Sequence, residues 1–191
     1  MRAKTHDFDL NIRTVHFGHL NAFIKQYNRA ADMLVSGIFP NAKEITESMA
    51  VLFAVRRHFK AWSRSNERIT LVAVGDGCRP RTAALMAFNT AWTCYSVDPR
   101  MRVLEYSFKR VVLVPTAIEE FTLTSDHPVL IAAVHSHANL QAARGVIQAP
   151  HVGIVSIPCC VRQELSTPPD REYEDYGIAS PERTVKVWYN S

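Results

Sequence analysis

The 191-residue chain has no run of 18 apolar residues, which excludes a membrane-crossing helix. Its first residues, Met1 to Asp9, lack an apolar core, so no secretory signal is expected there. There is no C-x-x-C, and Cys78, Cys94, Cys159 and Cys160 do not have zinc-finger spacing. Adjacent cysteines rarely bridge each other, because disulfide geometry strains a single peptide link. Thiols in a reducing compartment, the cytoplasm, are therefore the expectation. The absence of Gly-Lys-Ser/Thr removes a Walker loop, and the absence of G-x-S-x-G and H-E-x-x-H argues against the commonest hydrolases. No repeat or low-complexity tract occurs. Collagen, coiled coil, mucin and disordered tail are excluded by composition.

What is present is ordinary globular material: 47% hydrophobic, 21% charged, mean hydropathy −0.08. A chain of this size buries roughly 70% of its unfolded surface and needs no metal or disulfide to fold. Charge is unevenly spread. Residues 1–114 carry 17 Lys/Arg and 9 Asp/Glu, whereas residues 115–191 carry 5 and 9. The basic part includes Arg56, Arg57, Lys60, Arg64, Arg68, Arg79, Arg81, Arg100, Arg102, Lys109 and Arg110. On one face these would attract a polyanion such as RNA; scattered, they are solvated helix faces and loop ends.

Leu20, Phe23, Ile24, Tyr27, Ala31, Leu34 and Ile38 recur at three- and four-residue steps, which predicts one helix ending near Gly37 and Pro40. Asn41 with Glu44 resembles a capping box. After it, Ile45, Met49, Leu52, Phe53, Phe59 and Trp62 predict a second helix to about Arg64. Residues 1–66 thus read as a helical portion and 67–191 as a Rossmann-like domain, together one compact unit. Short apolar runs follow at Ile69–Val74, Trp92–Val97, Val111–Val114, Val129–Val134 and Val152–Ile157, with a last one at Thr184–Tyr189. Helix candidates lie between them, at about 80–89, 100–108, 116–121 and 138–148. The alternation predicts an α/β fold, a doubly wound, mostly parallel sheet behind an N-terminal helical pair. The polar segment from Gln163 to Arg183 reads as a long loop, functional or mobile.

The first run enters Gly75-Asp76-Gly77-Cys78-Arg79-Pro80, where a helix opens. Glycine permits a tight turn and close approach of a ligand, and Pro80 suits a helix start. The second run ends Val97-Asp98-Pro99, and Asp98 lies 21 residues beyond Gly77. In a doubly wound sheet, an acid there can accept hydrogen bonds from ribose hydroxyls. The pair predicts a nucleoside-type cofactor, or a sheet that keeps the geometry without one. Pro80 at the sixth position of G-x-G-x-x-G argues against a dinucleotide.

Val72–Gly77, Ser96–Pro99 and the fourth and fifth strands resemble a class I S-adenosylmethionine-dependent methyltransferase over about residues 41–191. The resemblance implies a cofactor held at Gly75, Asp76, Gly77, Asp98, Pro99 and His135. The glycine turn would take its amino-acid end and Asp98 its ribose. The first motif is degenerate: Ala73 stands where an acid is usual and Arg79 where a third glycine is usual. Asp76 is the candidate replacement for that acid. No Asn/Asp-Pro-Pro-Tyr occurs, and no set for ribose methylation can be assembled, so the acceptor is unnamed, with RNA the first guess. A non-catalytic RNA- or protein-binding module on a degenerate methyltransferase fold is the alternative.

The fourth strand ends Val134-His135-Ser136-His137. In an extended segment the two histidines point the same way. They line a pocket, serve as hydrogen-bonded structural groups, or form half a metal site with His151 as third ligand. No acid stands close by in sequence, and no metal site is assigned. The fifth strand ends Pro158-Cys159-Cys160. Cys159 resembles the nucleophile placement of RNA cytosine-5 methyltransferases, but the acidic partner motif at the end of strand four is absent, and pocket lining or a buried thiol are the readings that weigh more. His135, His137 and Cys159 are the catalytic candidates.

Overall fold

A computed structural model of the chain describes residues 17–64, 67–102, 107–160 and 165–190. Among the described residues, six helices precede and interleave the strands: α1 Gly18–Ile24, α2 Asn28–Val35, α3 Ala42–His58, α4 Lys60–Arg64, α5 Arg81–Asn89 and α6 Leu140–Gly145. The strands are β1 Thr70–Val74, β2 Thr93–Val97, β3 Val111–Val114, β4 Leu123–Thr124, β5 Val129–Val134, β6 Ile147–Gln148, β7 Val152–Ile157, β8 Arg171–Glu174 and β9 Thr184–Trp188. A 3-10 turn spans Ile118–Glu120.

The six apolar runs all become strands of one seven-stranded sheet, ordered β3-β2-β1-β5-β7-β9-β8. From β3 to β7 the strands are parallel, and β9 runs antiparallel to both its neighbours. The direction of winding reverses between β1 and β5. That reversal opens a crevice at the carboxyl ends of the strands. β4 and β6 form a separate two-stranded piece.

Strand side chains alternate between two cores. Leu71, Ala73, Cys94, Leu130 and Ala132 face the N-terminal helices and α5. Val72, Val74, Val129 and Ile131 face α6 and the 3-10 turn, through Leu140, Ala143 and Ile118. The N-terminal helices share the first core, with Phe23 and Met33 fully buried.

Three expectations change. The stripe of residues 20–38 is two helices, because the chain turns at Tyr27 with φ +52°. Ile24, Tyr27 and Leu34 are exposed, and Phe23, Ala30, Met33 and Ile38 take the inward positions. The second helix caps as expected, since Asn41 Oδ1 accepts from the Glu44 amide at 3.1 Å, but it breaks at Phe59. Packing causes that break. The Phe59 ring is buried against β7, where a Cβ at Gly153 would meet its Cζ at 2.8 Å. Third, the polar segment contains β8, an edge strand with the charges of Arg171, Glu172 and Glu174 on an exposed rim. The helix expected near 100–108 falls partly on 103–106, outside the described residues; 99–100 form a turn. Among the described residues, no helix is long and apolar enough to cross a membrane.

Candidate functional site

Gly75 has φ +66° and Gly77 φ +81°, so the chain leaves β1 through two left-handed positions that favour glycine. Asp76 between them turns inward and is buried. Its Oδ1 accepts from the Thr82 amide at 2.9 Å, and its Oδ2 accepts from the Ala83 amide at 3.2 Å and the Ser96 hydroxyl at 2.8 Å. It thereby holds the first turn of α5 against β2. Burial pushes its carboxyl above the usual range, partly offset by the Arg81 charge and these three hydrogen bonds. The side chain is engaged inside the protein rather than at the crevice.

Asp98 and the turn meet directly: Asp98 Oδ2 accepts from the Gly77 amide at 2.9 Å. Its Oδ1 accepts from the Arg100 amide at 2.7 Å, and the Met101 amide donates to the Asp98 carbonyl at 3.0 Å. This is a β-turn, with Asp at its first position and Pro99 at its second, where proline's fixed φ fits.

A cavity of about 460 Å³ lies over this pole of the sheet. Gly75, Asp98, Pro99, His135 and His137 line it, with Arg100, Ala117, Ile118, Glu119, Ala138 and Asn139 completing the wall. Five of the expected positions are thus brought together. Gly77 opens instead onto a neighbouring cavity of about 610 Å³, walled by Arg79, Arg81, Arg100 and Arg102 with Ile38, Pro40 and Cys78. Arg100 borders both. Of the basic residues, these four converge and others disperse. Arg57 lies over the Tyr173 ring, and Arg110 donates to the carbonyls of Ala87 and Thr90.

The glycine positions are closely approached by protein. A Cβ at Gly75 would collide with the Ser136 hydroxyl and lie 2.8 Å from its Cβ. A Cβ at Gly77 would lie 2.7 Å from Arg81 Nη2. Arg81 is itself held by Glu44 and by the Asp76 carbonyl.

His135 has φ +46°, a left-handed conformation unusual for a side-chain-bearing residue and frequent at functional sites. That kink ends the extended alternation, and the two histidines part. His135 Nε2 lies 3.4 Å from Glu47 Oε1 and 3.2 Å from the Glu182 carbonyl. His137 Nε2 lies 3.6 Å from Cys160 Sγ, which is 3.7 Å from Cys159 Sγ. His151 sits at the opposite pole, where its carbonyl accepts from the Val129 amide at the start of β5. A β-strand of that length keeps it about 20 Å from His137, so it is no third ligand.

Glu47 escaped the sequence reading. It is buried on α3, with Oε1 also 2.8 Å from Lys43 Nζ. Its only sequence signal is the Lys43–Glu47 spacing. The helix stripe left it out, but His135 lies against it, and the Ala179 amide donates to the neighbouring Thr46.

Neither a protein-family model nor a curated protein matches the chain, so the site is read from its own geometry.

Proposed function

We infer that the crevice binds S-adenosylmethionine and that the chain transfers its methyl group to an acceptor, with RNA the favoured class. The observation that carries this reading is the 2.9 Å bond between the Gly77 amide and the Asp98 carboxylate, which joins the ends of β1 and β2 beside the β1–β5 reversal of winding. The strand order adds support. Counted along the sheet it runs three, two, one, four, five, with an antiparallel strand beside the fifth. That arrangement resembles a class I methyltransferase more than an all-parallel dinucleotide-binding sheet.

The residues fit the adenosine half of the cofactor. A carboxylate offers about four acceptor sites. Two backbone hydrogen bonds and a 3.5 Å contact from Arg100 Nε leave Asp98 capacity for ribose hydroxyls. Pro99, Ala117 and Ile118 offer an apolar wall for a base. The fit to the amino-acid half differs from the family pattern, because Ser136 and Arg81 crowd the glycine turn. Arg100, Glu119, His135, His137 and Asn139 are polar groups bordering the rest of the crevice.

The cofactor, when bound, supplies a methyl group on a positively charged sulfur. The chain's part is then alignment, which suffices when the acceptor is already nucleophilic. His135 holds its Nε2 near Glu47 and the Glu182 carbonyl, and its Nδ1 would be the atom to accept an acceptor proton. Arg79, Arg81, Arg100 and Arg102 next door suit phosphates of an RNA strand.

The crowded glycine turn favours a second reading, a non-catalytic RNA-binding module. Calorimetry with S-adenosylmethionine and S-adenosylhomocysteine separates the two. Binding that weakens more than about tenfold in Asp98→Ala, from lost charge-assisted hydrogen bonds, supports the enzyme. No heat at millimolar ligand, with RNA still bound, supports the module.

A further inference from the structure

We propose that His137, Cys159 and Cys160 form a zinc site with three protein ligands at the rim of the crevice. The three donor atoms all lie within 4.8 Å of one another. Zinc bonds of about 2.3 Å to sulfur and 2.0–2.1 Å to nitrogen, set tetrahedrally, place two sulfurs about 3.8 Å apart and sulfur and nitrogen about 3.6 Å apart. The chain holds its sulfurs 3.7 Å apart and the Cys160 sulfur 3.6 Å from His137 Nε2. Two edges of a zinc tetrahedron therefore stand without rearrangement. The sulfur spacing also far exceeds a disulfide bond of about 2.05 Å.

The fold explains the pairing. β5 and β7 are parallel neighbours, in register from Val129↔Val152 to Val134↔Ile157. Residues just past their ends are therefore adjacent, although 22 and 23 residues separate His137 from the cysteines in sequence. The parting of the two histidines at His135 turns His137 toward the thiols. The donor set selects the ion. Two thiolates and an imidazole suit a borderline-soft cation such as zinc and disfavour magnesium or calcium. Two thiolates also balance its double charge. Three protein ligands leave a fourth position, as in catalytic rather than structural zinc sites. His137 itself lines the crevice. The proposal stands on this cluster alone and does not require S-adenosylmethionine.

Cobalt is the probe, because its spectrum reports ligand type. The full chain, reduced with a phosphine, is expected to bind one equivalent of Co²⁺. Thiolate-to-cobalt charge-transfer absorption and intense tetrahedral visible bands should appear, and Zn²⁺ should abolish both. C160S and H137A, checked for folding by circular dichroism, should each weaken binding by more than about 100-fold, beyond the loss typical of outer-shell changes. C78S should bind as the parent does. A folded parent chain without the charge-transfer band overturns the proposal. So does an H137A chain that binds cobalt as tightly as the parent, since the vicinal thiols alone would then suffice.

Discussion

Gly75 is where one methyl group tests the architecture most sharply. Alanine there must adopt φ +66° and crowd Ser136, whose Cβ would lie 2.8 Å from the new one. The backbone cost and the overpacking together predict a loss of about 2–4 kcal/mol for G75A. In the G75A/S136G double variant the overpacking part should be recovered and the backbone part kept. A thermal-denaturation double-mutant cycle reads that coupling, and additive losses would show that Ser136 is not the obstacle. At this scale, the glycine turn and Asp98 were legible because each rests on a local property: a φ only glycine favours, and an acid ending a strand. The inward role of Asp76 was not, since it depends on Ser96 and the α5 amides reaching it. The burial of Glu47 was not legible either, because His135, far away in sequence, lies against it.

Between elements, the pair joining α1 to the segment after β8 is sensitive to pH. His19 Nε2 lies 2.9 Å from Asp175 Oδ2. Burial pushes the Asp175 carboxyl up, but the His19 hydrogen bond and charge, the Gly177 amide and Arg57 more than offset this and hold it below the usual range. A depressed carboxylate adds stability above its unfolded value of about 3.9, and that stability is lost as pH falls through the folded value. The parent chain should therefore exceed D175N in stability at pH 6, and the gap should close on acidification below about pH 4. Urea denaturation across that range measures it; a gap independent of pH would assign the effect to packing instead. The central strands β1, β5 and β7 were readable because their apolar runs are covered on both faces. β8 was hidden, since an exposed edge strand needs no apolar pattern and takes its conformation from pairing with β9. The break between α1 and α2 was also hidden, because the three-and-four spacing continues through Tyr27 while the chain turns there.

The molecule as a whole carries a formal net charge of +4, and the arginine-walled cavity beside the crevice concentrates part of it. If that cavity takes RNA phosphates, affinity should fall steeply with salt. Each arginine removed from a phosphate contact should lower the slope of log K against log salt by about 1. R79Q and R102Q are the variants to compare by fluorescence anisotropy across a salt series. R64Q, on α4, should leave the slope unchanged. Equal slopes in all three would remove the cavity from RNA binding.

Periodicity, turn chemistry and charge order were enough, read from the sequence by themselves, to establish an α/β chain whose first two strands deliver a glycine turn and an acid to one pole. These are nearest-neighbour properties of the backbone and of local burial. Only tertiary structure decided that Ser136 and Arg81 crowd that turn and that four of the arginines share a cavity. It alone also set His135 against Glu47 and His137 against the adjacent cysteines Cys159 and Cys160. Such contacts join residues far apart in the chain. Their partners are chosen by which strands lie side by side, and that choice is made by packing the whole sheet between its two helical layers.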